Sequence, residues 1–174
     1  RIQKFAPDGT FMAKWGSVGT ANGQFKGPAS ICIDSAGNIY VTEYSGHRVQ
    51  KFDSTGAFLT KWGSVGSGIN QLRYPGGIRV DGAGFVYVAD YGNHRIQKYN
   101  SVGVYQSTFG SQGSSNGQFS WPWDVALSAS GDLYVADTGN NRLQRLDSGG
   151  GFVESWGVGG AGNGQFVYPT SVAL

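Results

Sequence analysis

A 47-residue internal repeat is the feature that most constrains the fold of this chain. The motif R-[IVL]-Q-[KR]-[aromatic/Leu] begins, at a constant spacing of 47 residues, at Arg1, Arg48, Arg95 and Arg142. Prolines keep the same phase, at Pro28, Pro75, Pro122 and Pro169. Repeats of this length usually form one supersecondary unit each, and such units bury their apolar faces against their neighbours. We therefore expect a stacked array of equivalent units.

Each unit has the pattern of four short strands joined by tight turns. In residues 29–63, β-branched and aromatic residues concentrate at 30–33, 39–43, 48–52 and 58–62, with Asp- and Gly-containing turns between them. The first strands of successive units are continuous apolar runs: SICI, GIRV, DVAL and SVAL. Such runs indicate sheets that are covered on both faces. The pattern predicts an all-β β-propeller of four-stranded antiparallel blades, with a linear β-solenoid as the alternative.

The repeat phase divides the predicted single propeller of residues 1–174, about 3.7 units long, into whole and partial blades. We expect complete blades at 29–63, 76–110 and 123–157. The last two strands of a blade are expected at 1–16, and the first strand of a further blade at 170–174. These partial units lack a second strand between them. We therefore expect that further blades or self-association of two copies are needed to close the ring.

Composition excludes several classes of protein. The 13 Lys and Arg residues against 11 Asp and Glu residues leave a net charge of +2, which is too small to indicate an acidic partner by bulk charge. A single cysteine excludes an internal disulfide framework. No run approaches the roughly 18 apolar residues of a membrane helix, so we expect no membrane insertion. The low charge and the many glycines favour an extracellular or cell-surface location.

The motifs inside each unit resemble the NHL repeat. Gly-x-Gly-Asn-Gly-Gln-Phe, Pro, an apolar strand, Asp-x-x-Gly-Asn, Tyr-Val-x-Asp, Gly-Asn-x-Arg and Ile-Gln-x-Phe recur in phase. The best copy is residues 75–99, PGGIRVDGAGFVYVADYGNHRIQKY. The resemblance implies a propeller, most often six-bladed, whose loops bind proteins, RNA, glycans or small molecules. It also implies that a minority of relatives are enzymes, such as amidating lyases with a metal in the central channel.

The polar positions that recur in every unit are interpreted as scaffold. An acid precedes each later arginine by five residues, which gives the pairs Glu43/Arg48, Asp90/Arg95 and Asp137/Arg142. Exposed pairs across this hairpin turn would contribute about 0.2–1 kcal/mol each. The same motif supplies eight of the 13 basic residues: Arg1, Lys4, Arg48, Lys51, Arg95, Lys98, Arg142 and Arg145. A basic stripe that binds single-stranded RNA is the functional alternative.

No other residue pattern indicates a catalytic or metal site. His47 and His94 are equivalent positions on adjacent blades, and packed sheets lie about 10 Å apart, too far for two ligands of one metal. Cys32, inside an apolar run, is expected to be a buried thiol and not a nucleophile. Asp34 and Asp81 open tight turns, where calcium binding is an alternative to turn formation with too few carboxylates to support it. We expect no metal and no cofactor.

The positions that break the repeat carry the functional prediction. Aromatic residues vary just before each first strand, on the face where the connections between blades and the turns after the second strands lie together. Arg79 interrupts an inner strand whose equivalents are Cys or Ala, and a charge there needs a partner or water. Tyr and Trp are favoured at binding hot spots. The predicted binding residues are Tyr74, Arg79, Trp121, Trp123, Asp124 and Tyr168. Packing of the aromatic rings between blades is the alternative.

The sequence therefore predicts a non-enzymatic binding scaffold that presents the loops of one face to a protein or glycan. This prediction depends on uniform repeats, on variation confined to the face loops and on the lack of an acid–base or nucleophile constellation. Two alternatives stay open. One is a fragment of a propeller lyase or hydrolase with a metal site in the central channel, and the other is single-stranded RNA binding.

Overall fold

The computed structural model describes all residues 1–174 and contains fourteen β-strands in four antiparallel sheets. The two-stranded sheet consists of β1 (Ile2–Phe5) and β2 (Phe11–Trp15). The first complete blade consists of β3 (Pro28–Ile33), β4 (Ile39–Glu43), β5 (Arg48–Phe52) and β6 (Phe58–Trp62). The second consists of β7 (Pro75–Val80), β8 (Val86–Asp90), β9 (Arg95–Tyr99) and β10 (Tyr105–Phe109). The third consists of β11 (Pro122–Leu127), β12 (Leu133–Asp137), β13 (Arg142–Leu146) and β14 (Phe152–Trp156).

The arrangement of these sheets confirms the predicted all-β propeller. Strands within each complete blade pair in sequence order from first to fourth. The first strands of successive blades pack against each other, β3 against β7 and β7 against β11, as they do around a propeller axis. The sheets do not close into a ring. Short 3₁₀ turns at Tyr91–Asn93 and Thr138–Asn140 are the helical segments, and neither is long or apolar enough to cross a bilayer.

Residues 170–174 form no strand, although their sequence resembles the earlier first strands. A first strand of this fold is held by the second strand of its own blade, as β3 is by β4. No strand pairs with residues 170–174 here. Val172 is nevertheless buried against Ala126 and Ala136 of the third blade. The segment therefore keeps its packing contact without the hydrogen bonds of a ladder.

Residues that end the glycine-rich connections fill the space between blades. Phe25, Leu72 and Phe119 are all buried. Phe119 packs in one cluster with Ile96 of the second blade and Val135 of the third. The rings and branched side chains of these residues thus seal neighbouring sheets against water, which contributes about 1.5–3 kcal/mol for each large side chain. The last equivalent residue of the series, Phe166, is only half-buried.

The turns between first and second strands have the predicted chemistry. Asp34 Oδ1 accepts hydrogen bonds from the backbone N–H groups of Ala36 (3.0 Å) and Asn38 (2.8 Å). Its Oδ2 accepts a bond from the Tyr40 hydroxyl at 2.9 Å. Asp81 makes the same backbone bonds in the second blade. These carboxylates are therefore used by the turns they open.

The acid–arginine pairs are buried, so the value for exposed pairs does not apply to them. Asp90 has no exposed surface and accepts bonds from Arg95 Nε (2.8 Å) and Gln97 Nε2 (3.0 Å). It also accepts the backbone N–H of Arg73 at 2.7 Å. The Arg95 guanidinium reaches back to the carbonyl of Gln71 at 3.0 Å. Each acid therefore ties the third strand to the connection from the preceding blade, and Glu43 and Asp137 anchor the same network in their own blades.

Candidate binding face

The connections between blades and the turns after the second strands lie on one face of the molecule. Backbone hydrogen bonds join them in each blade, from the Gly92 N–H to the Arg73 carbonyl (2.8 Å) and from the Gly139 N–H to the Ser120 carbonyl (2.8 Å). In the first blade the bond is displaced by one residue at each end and runs from the Tyr44 N–H to the Gly27 carbonyl at 2.7 Å. The residues that vary between repeats are therefore collected on this surface, which we call the binding face.

Five aromatic rings from three blades meet on the binding face and form what we call the aromatic platform: Tyr44, Tyr74, Tyr91, Trp121 and Trp123. The Tyr44 ring lies 4.8 Å from Tyr74, 5.7 Å from Trp123 and 6.2 Å from Tyr91, measured between centroids. The Tyr91 ring lies 5.3 Å from Trp123 and 6.4 Å from Trp121. These separations are those of favourable aromatic pairs, so the rings support one another.

All five platform rings are partly accessible to solvent. Tyr74 is 37% exposed and Trp121 is 48% exposed, while the other three rings are half-buried. None of the five rings belongs to the buried clusters that fill the space between blades. The rings instead contact one another across the three blades, so packing between blades stays the alternative to a binding role.

Two platform residues have a left-handed backbone. Tyr74 has φ 52° and Trp121 has φ 50°, and Tyr168, one repeat later, has φ 51°. The first repeat carries Gly27 at this position, with φ 67°. A bulky side chain in this region costs about 1–2 kcal/mol, whereas glycine enters it freely. Strained residues of this kind concentrate at ligand-binding sites, and here two of them carry platform rings.

A side chain from the preceding blade holds each left-handed residue. His47 Nδ1 accepts the backbone N–H of Tyr74 at 3.1 Å, and His94 Nδ1 accepts that of Trp121 at 3.0 Å. Asn141 Oδ1 accepts the N–H of Tyr168 at 2.8 Å in the third repeat. The two histidines therefore contact the platform separately, and no three His, Cys, Asp or Glu side chains in the chain converge on one metal-sized point.

A cavity of about 570 Å³ opens beside the platform, against the first strands of the blades. Arg79 Nη2 donates to Asp124 Oδ2 at 3.1 Å, which joins β7 to β11. Asp124 also accepts bonds from the Ser171 hydroxyl and the Val172 N–H, both at 3.2 Å. Arg79, whose side chain is 31% exposed, thus has the partner that an inner-strand charge needs and still faces the cavity.

Cys32 also lines this cavity. Burial raises the pKa of the Cys32 thiol to about 12. A thiol with so high a pKa is protonated at neutral pH and is a poor nucleophile. The cavity therefore combines a paired arginine and aspartate with an inert thiol and an aromatic edge supplied by Trp123.

The predicted site residues fall into three groups by their location in the structure. Tyr74, Trp121 and Trp123 lie in the platform, whereas Arg79 and Asp124 lie in the adjoining cavity, which Trp123 also lines. Tyr168 is 64% exposed and makes no ring contact with the platform. The sequence interpretation missed Tyr44 and Tyr91, which follow the buried acids of their blades. The sequence signal that could have identified them is the variation of this position between repeats, because the third repeat has Thr138 there.

The sequence profile of the NHL repeat matches residues 25–52, 72–99 and 119–146, one match in each complete blade. The chain belongs to the NHL-repeat family. The matched segments run from the residue that seals two blades to the end of the third strand, so they include the buried acid network of each blade. No curated protein matches the NHL chain significantly.

Solved structures with the same fold come from proteins of different functions. A catalytically inactive virginiamycin B lyase from Staphylococcus aureus with quinupristin is 16% identical, with a TM-score of 0.64 over 87% of this chain and 46% of that one. Kuenenia stuttgartiensis hydrazine synthase is 18% identical, with a TM-score of 0.62 over 84% and 39%. A structure of the nidogen/laminin complex is 18% identical, with a TM-score of 0.58 over 75% and 47%. The NHL chain spans less than half of each, and the similarity establishes the fold alone.

The basic residues of the third strands are engaged in internal contacts in the complete blades of the NHL chain. Arg48 and Lys51 are buried. Lys98 Nζ lies 4.2 Å from the centroid of the Phe85 ring, and Arg145 pairs with Asp132 at 2.7 Å. These positive charges are therefore committed to packing and ion pairs and do not form a free stripe.

Proposed function

We propose that the NHL chain is a non-enzymatic binding module that captures a protein partner on its aromatic platform. The observation that carries the proposal is the platform itself: five Tyr and Trp rings, two of them well exposed and held in a strained backbone conformation. Tyr and Trp dominate binding hot spots because they offer a large contact area at a low cost in conformational entropy. A surface of this kind, built on rigid blades, is preorganised for binding.

The repeat supports a functional role for the platform side chains. Where the third repeat has Trp123, the other units carry Ala29, Gly76 and Thr170. Where the later repeats have Tyr74 and Trp121, the first has Gly27. The fold therefore accepts small residues at these positions, which supports a role in binding for the large rings. The nidogen/laminin structure is a protein complex that contains this fold, which is consistent with protein capture.

A glycan is the second candidate for the ligand. The polar groups of Arg79 and Asp124 lie in the cavity that Trp123 borders. An aromatic ring beside a hydrogen-bonding pair suits the apolar face and hydroxyl groups of a sugar. A protein remains the first choice because the platform extends well beyond this cavity, to Tyr74 and Trp121 on the neighbouring connections.

The enzymatic and RNA-binding alternatives have weaker support. A catalytic channel needs a free acid, base or nucleophile, whereas Asp124 is bonded to Arg79 and the Cys32 thiol is protonated at neutral pH. RNA binding through the third strands needs free basic groups, and those of the complete blades are engaged. The absence of enzymatic activity and the extracellular or cell-surface location stay predictions.

A peptide-display library provides the test, because it offers the platform many peptide sequences at once and does not require the natural partner. Peptides selected on the wild-type chain are measured against the triple variant Tyr74→Gly, Trp121→Gly and Trp123→Ala, in which each ring is replaced by the residue of another repeat. We expect affinity to fall by about 30-fold or more, the effect of losing one hot spot or more. A glycan array probes the second candidate with the same variant.

Tyr168→Gly is the matched control. Tyr168 has the same left-handed backbone as Tyr74 and Trp121 but lies outside the platform. We expect the control to bind the selected peptides as the wild type does. Selected peptides that bind the triple variant and the wild type equally would overturn the proposal. A glycan that binds only the wild type would identify a sugar, and not a protein, as the ligand.

A further inference from the structure

The three left-handed aromatic residues are held by two kinds of acceptor. Tyr74 and Trp121 are each bonded to a histidine, whereas Tyr168 is bonded to an asparagine. A histidine changes its charge near physiological pH, and an asparagine amide does not. The two platform positions are therefore joined to titratable groups, and the equivalent position outside the platform is not.

The direction of the hydrogen bond makes it dependent on protonation. Because His47 Nδ1 accepts the N–H of Tyr74, the neutral ring carries its proton on Nε2. A protonated imidazole has N–H groups on both nitrogens and no acceptor. Protonation would then place the Nδ1–H of His47 against the backbone N–H of Tyr74, two donors whose nitrogen atoms are now 3.1 Å apart. His94 Nδ1 and the Trp121 N–H have the same arrangement, at 3.0 Å.

Loss of this bond would release a strained backbone. A bulky residue is disfavoured in the left-handed region, and the bond to the imidazole helps to offset that cost. Each histidine also lies against the ring that it positions, 4.8 Å between His47 and Tyr74 and 5.8 Å between His94 and Trp121. A return of Tyr74 or Trp121 to the common backbone region would move its ring out of the platform.

We propose that His47 and His94 are positioning residues that hold Tyr74 and Trp121 in the platform only while their imidazoles are neutral. The platform is then assembled at neutral pH and loosens in acid. The consequence for partner binding rests on the proposed function, whereas the conformational switch does not.

Burial and the charges around the two imidazoles set the pH at which the switch operates. Burial is the largest influence on both, and it lowers the pKa of each histidine below the ordinary value of 6.5. Lys26 and Arg73 lower the pKa of His47 further, against an opposing effect of Asp90. Around His94, Asp137 and Asp90 raise the pKa and Arg73 lowers it. Both imidazoles are therefore neutral at pH 7 and become charged in moderate acid.

Amide resonances provide the direct test in the full chain. The ¹⁵N–¹H signals of Tyr74, Trp121 and Tyr168 are followed from about pH 7.5 to about pH 4.5, together with the imidazole signals of the two histidines. We expect the Tyr74 and Trp121 amides to shift with the midpoints of His47 and His94, which lie below 6.5. The Tyr168 amide should stay unchanged. Invariant Tyr74 and Trp121 amides, or a Tyr168 amide that moves with them, would overturn the switch.

The double variant His47→Asn and His94→Asn is the conservative replacement, because Asn141 already performs this task in the third repeat. We expect it to keep the fold and to lose the pH dependence of both amides. Persistence of that dependence in the double variant would contradict the assignment to the histidines.

Binding is a separate readout. The affinity of a display-selected peptide without titratable side chains should fall by about tenfold or more from pH 7.5 to about pH 5 in the wild type and stay nearly constant in the double variant. Amides that titrate while the affinity does not would support the switch and overturn its link to binding.

Discussion

The buried acid network and the aromatic platform lie a few residues apart in every repeat, yet they differ in how strictly they recur. Asp90 and Asp137 make nearly the same set of bonds, to an arginine, a glutamine and a backbone N–H of the preceding connection. The platform positions instead vary among glycine, alanine, threonine and the largest side chains. Recurrence therefore marks what holds the blades together, and variation marks what the blades present.

Energetics explains this division. A buried carboxylate is tolerated only when its partners are all in place, so no blade can lose one member of the network cheaply. The platform rings replace small residues on a surface that folds without them. The repeats can therefore differ widely in the platform residues and hardly at all in the network. Four changes test this difference, and they follow in order of decreasing effect.

Phe119→Ala should have the largest effect because it empties the seal between the second and third blades. Phe119 is fully buried, and loss of a buried phenylalanine costs about 3–5 kcal/mol of unfolding free energy. Urea denaturation measures the loss. The equivalent Phe166→Ala changes a half-buried ring and should cost about 1 kcal/mol. Equal losses in the two variants would show that the seals do not depend on a following blade.

Asp90→Ala breaks one copy of the network. It leaves Arg95, Gln97 and the Arg73 N–H without their common acceptor, and we expect a loss of about 3 kcal/mol. Asp147→Ala is the control, since Asp147 accepts only turn N–H groups in an exposed position and should cost about 1 kcal/mol or less. A small loss for Asp90→Ala in the same denaturation experiment would mean that the network is not a principal support.

The two histidines make the unfolding free energy depend on pH, an effect smaller than the losses expected for Phe119→Ala and Asp90→Ala. Their pKa values are lower in the folded chain than the ordinary 6.5, so the unfolded chain binds more protons in mild acid. Their contribution is complete above about pH 6.5 and is lost as the pH falls from there through the folded pKa values. Denaturation midpoints should therefore decline over this window more in the wild type than in the His47→Asn, His94→Asn variant. Parallel curves would remove this contribution.

Asn70→Gly should have the smallest effect, a gain. Asn70 has φ 61° where other repeats have glycine, and Gln97 Oε1 lacks the partner that Gln50 Oε1 finds in the Gly23 N–H at 2.9 Å. We expect glycine to remove the backbone strain and the backbone N–H of residue 70 then to reach Gln97 Oε1, a gain of about 0.5–1 kcal/mol. A higher denaturation midpoint would confirm that glycine is the more stable residue at this position in every repeat. A lower midpoint would show that Asn70 has a contact of its own.

Much of the fold follows from the repeat. A constant period aligns equivalent residues, so turns such as the one at Asp34 and seals such as Phe119 could be predicted from several copies at once. The burial of Asp90 could not, because the spacing from Asp90 to Arg95 describes a hairpin and contains no information on the connection that folds over it. That cover depends on Gln71, which lies 24 residues before Arg95.

The binding face was predicted in part for a similar reason. Variation between repeats identified Tyr74, Trp121 and Trp123. The inclusion of Tyr44 and Tyr91 depends on how far neighbouring blades are rotated relative to each other, which no local pattern states. The left-handed backbone of Tyr74 is disfavoured for its residue type, and Gly27 in the same phase was the one sequence signal for it.

Separability of the platform from the fold can be measured as the unfolding free energy of the Tyr74→Gly, Trp121→Gly, Trp123→Ala variant in urea. We expect a value within about 1 kcal/mol of the wild type, because relief of backbone strain offsets the lost ring contacts. A loss of about 3 kcal/mol or more, comparable to that of Asp90→Ala, would show that these rings are part of the core and that the platform is not separable from the fold.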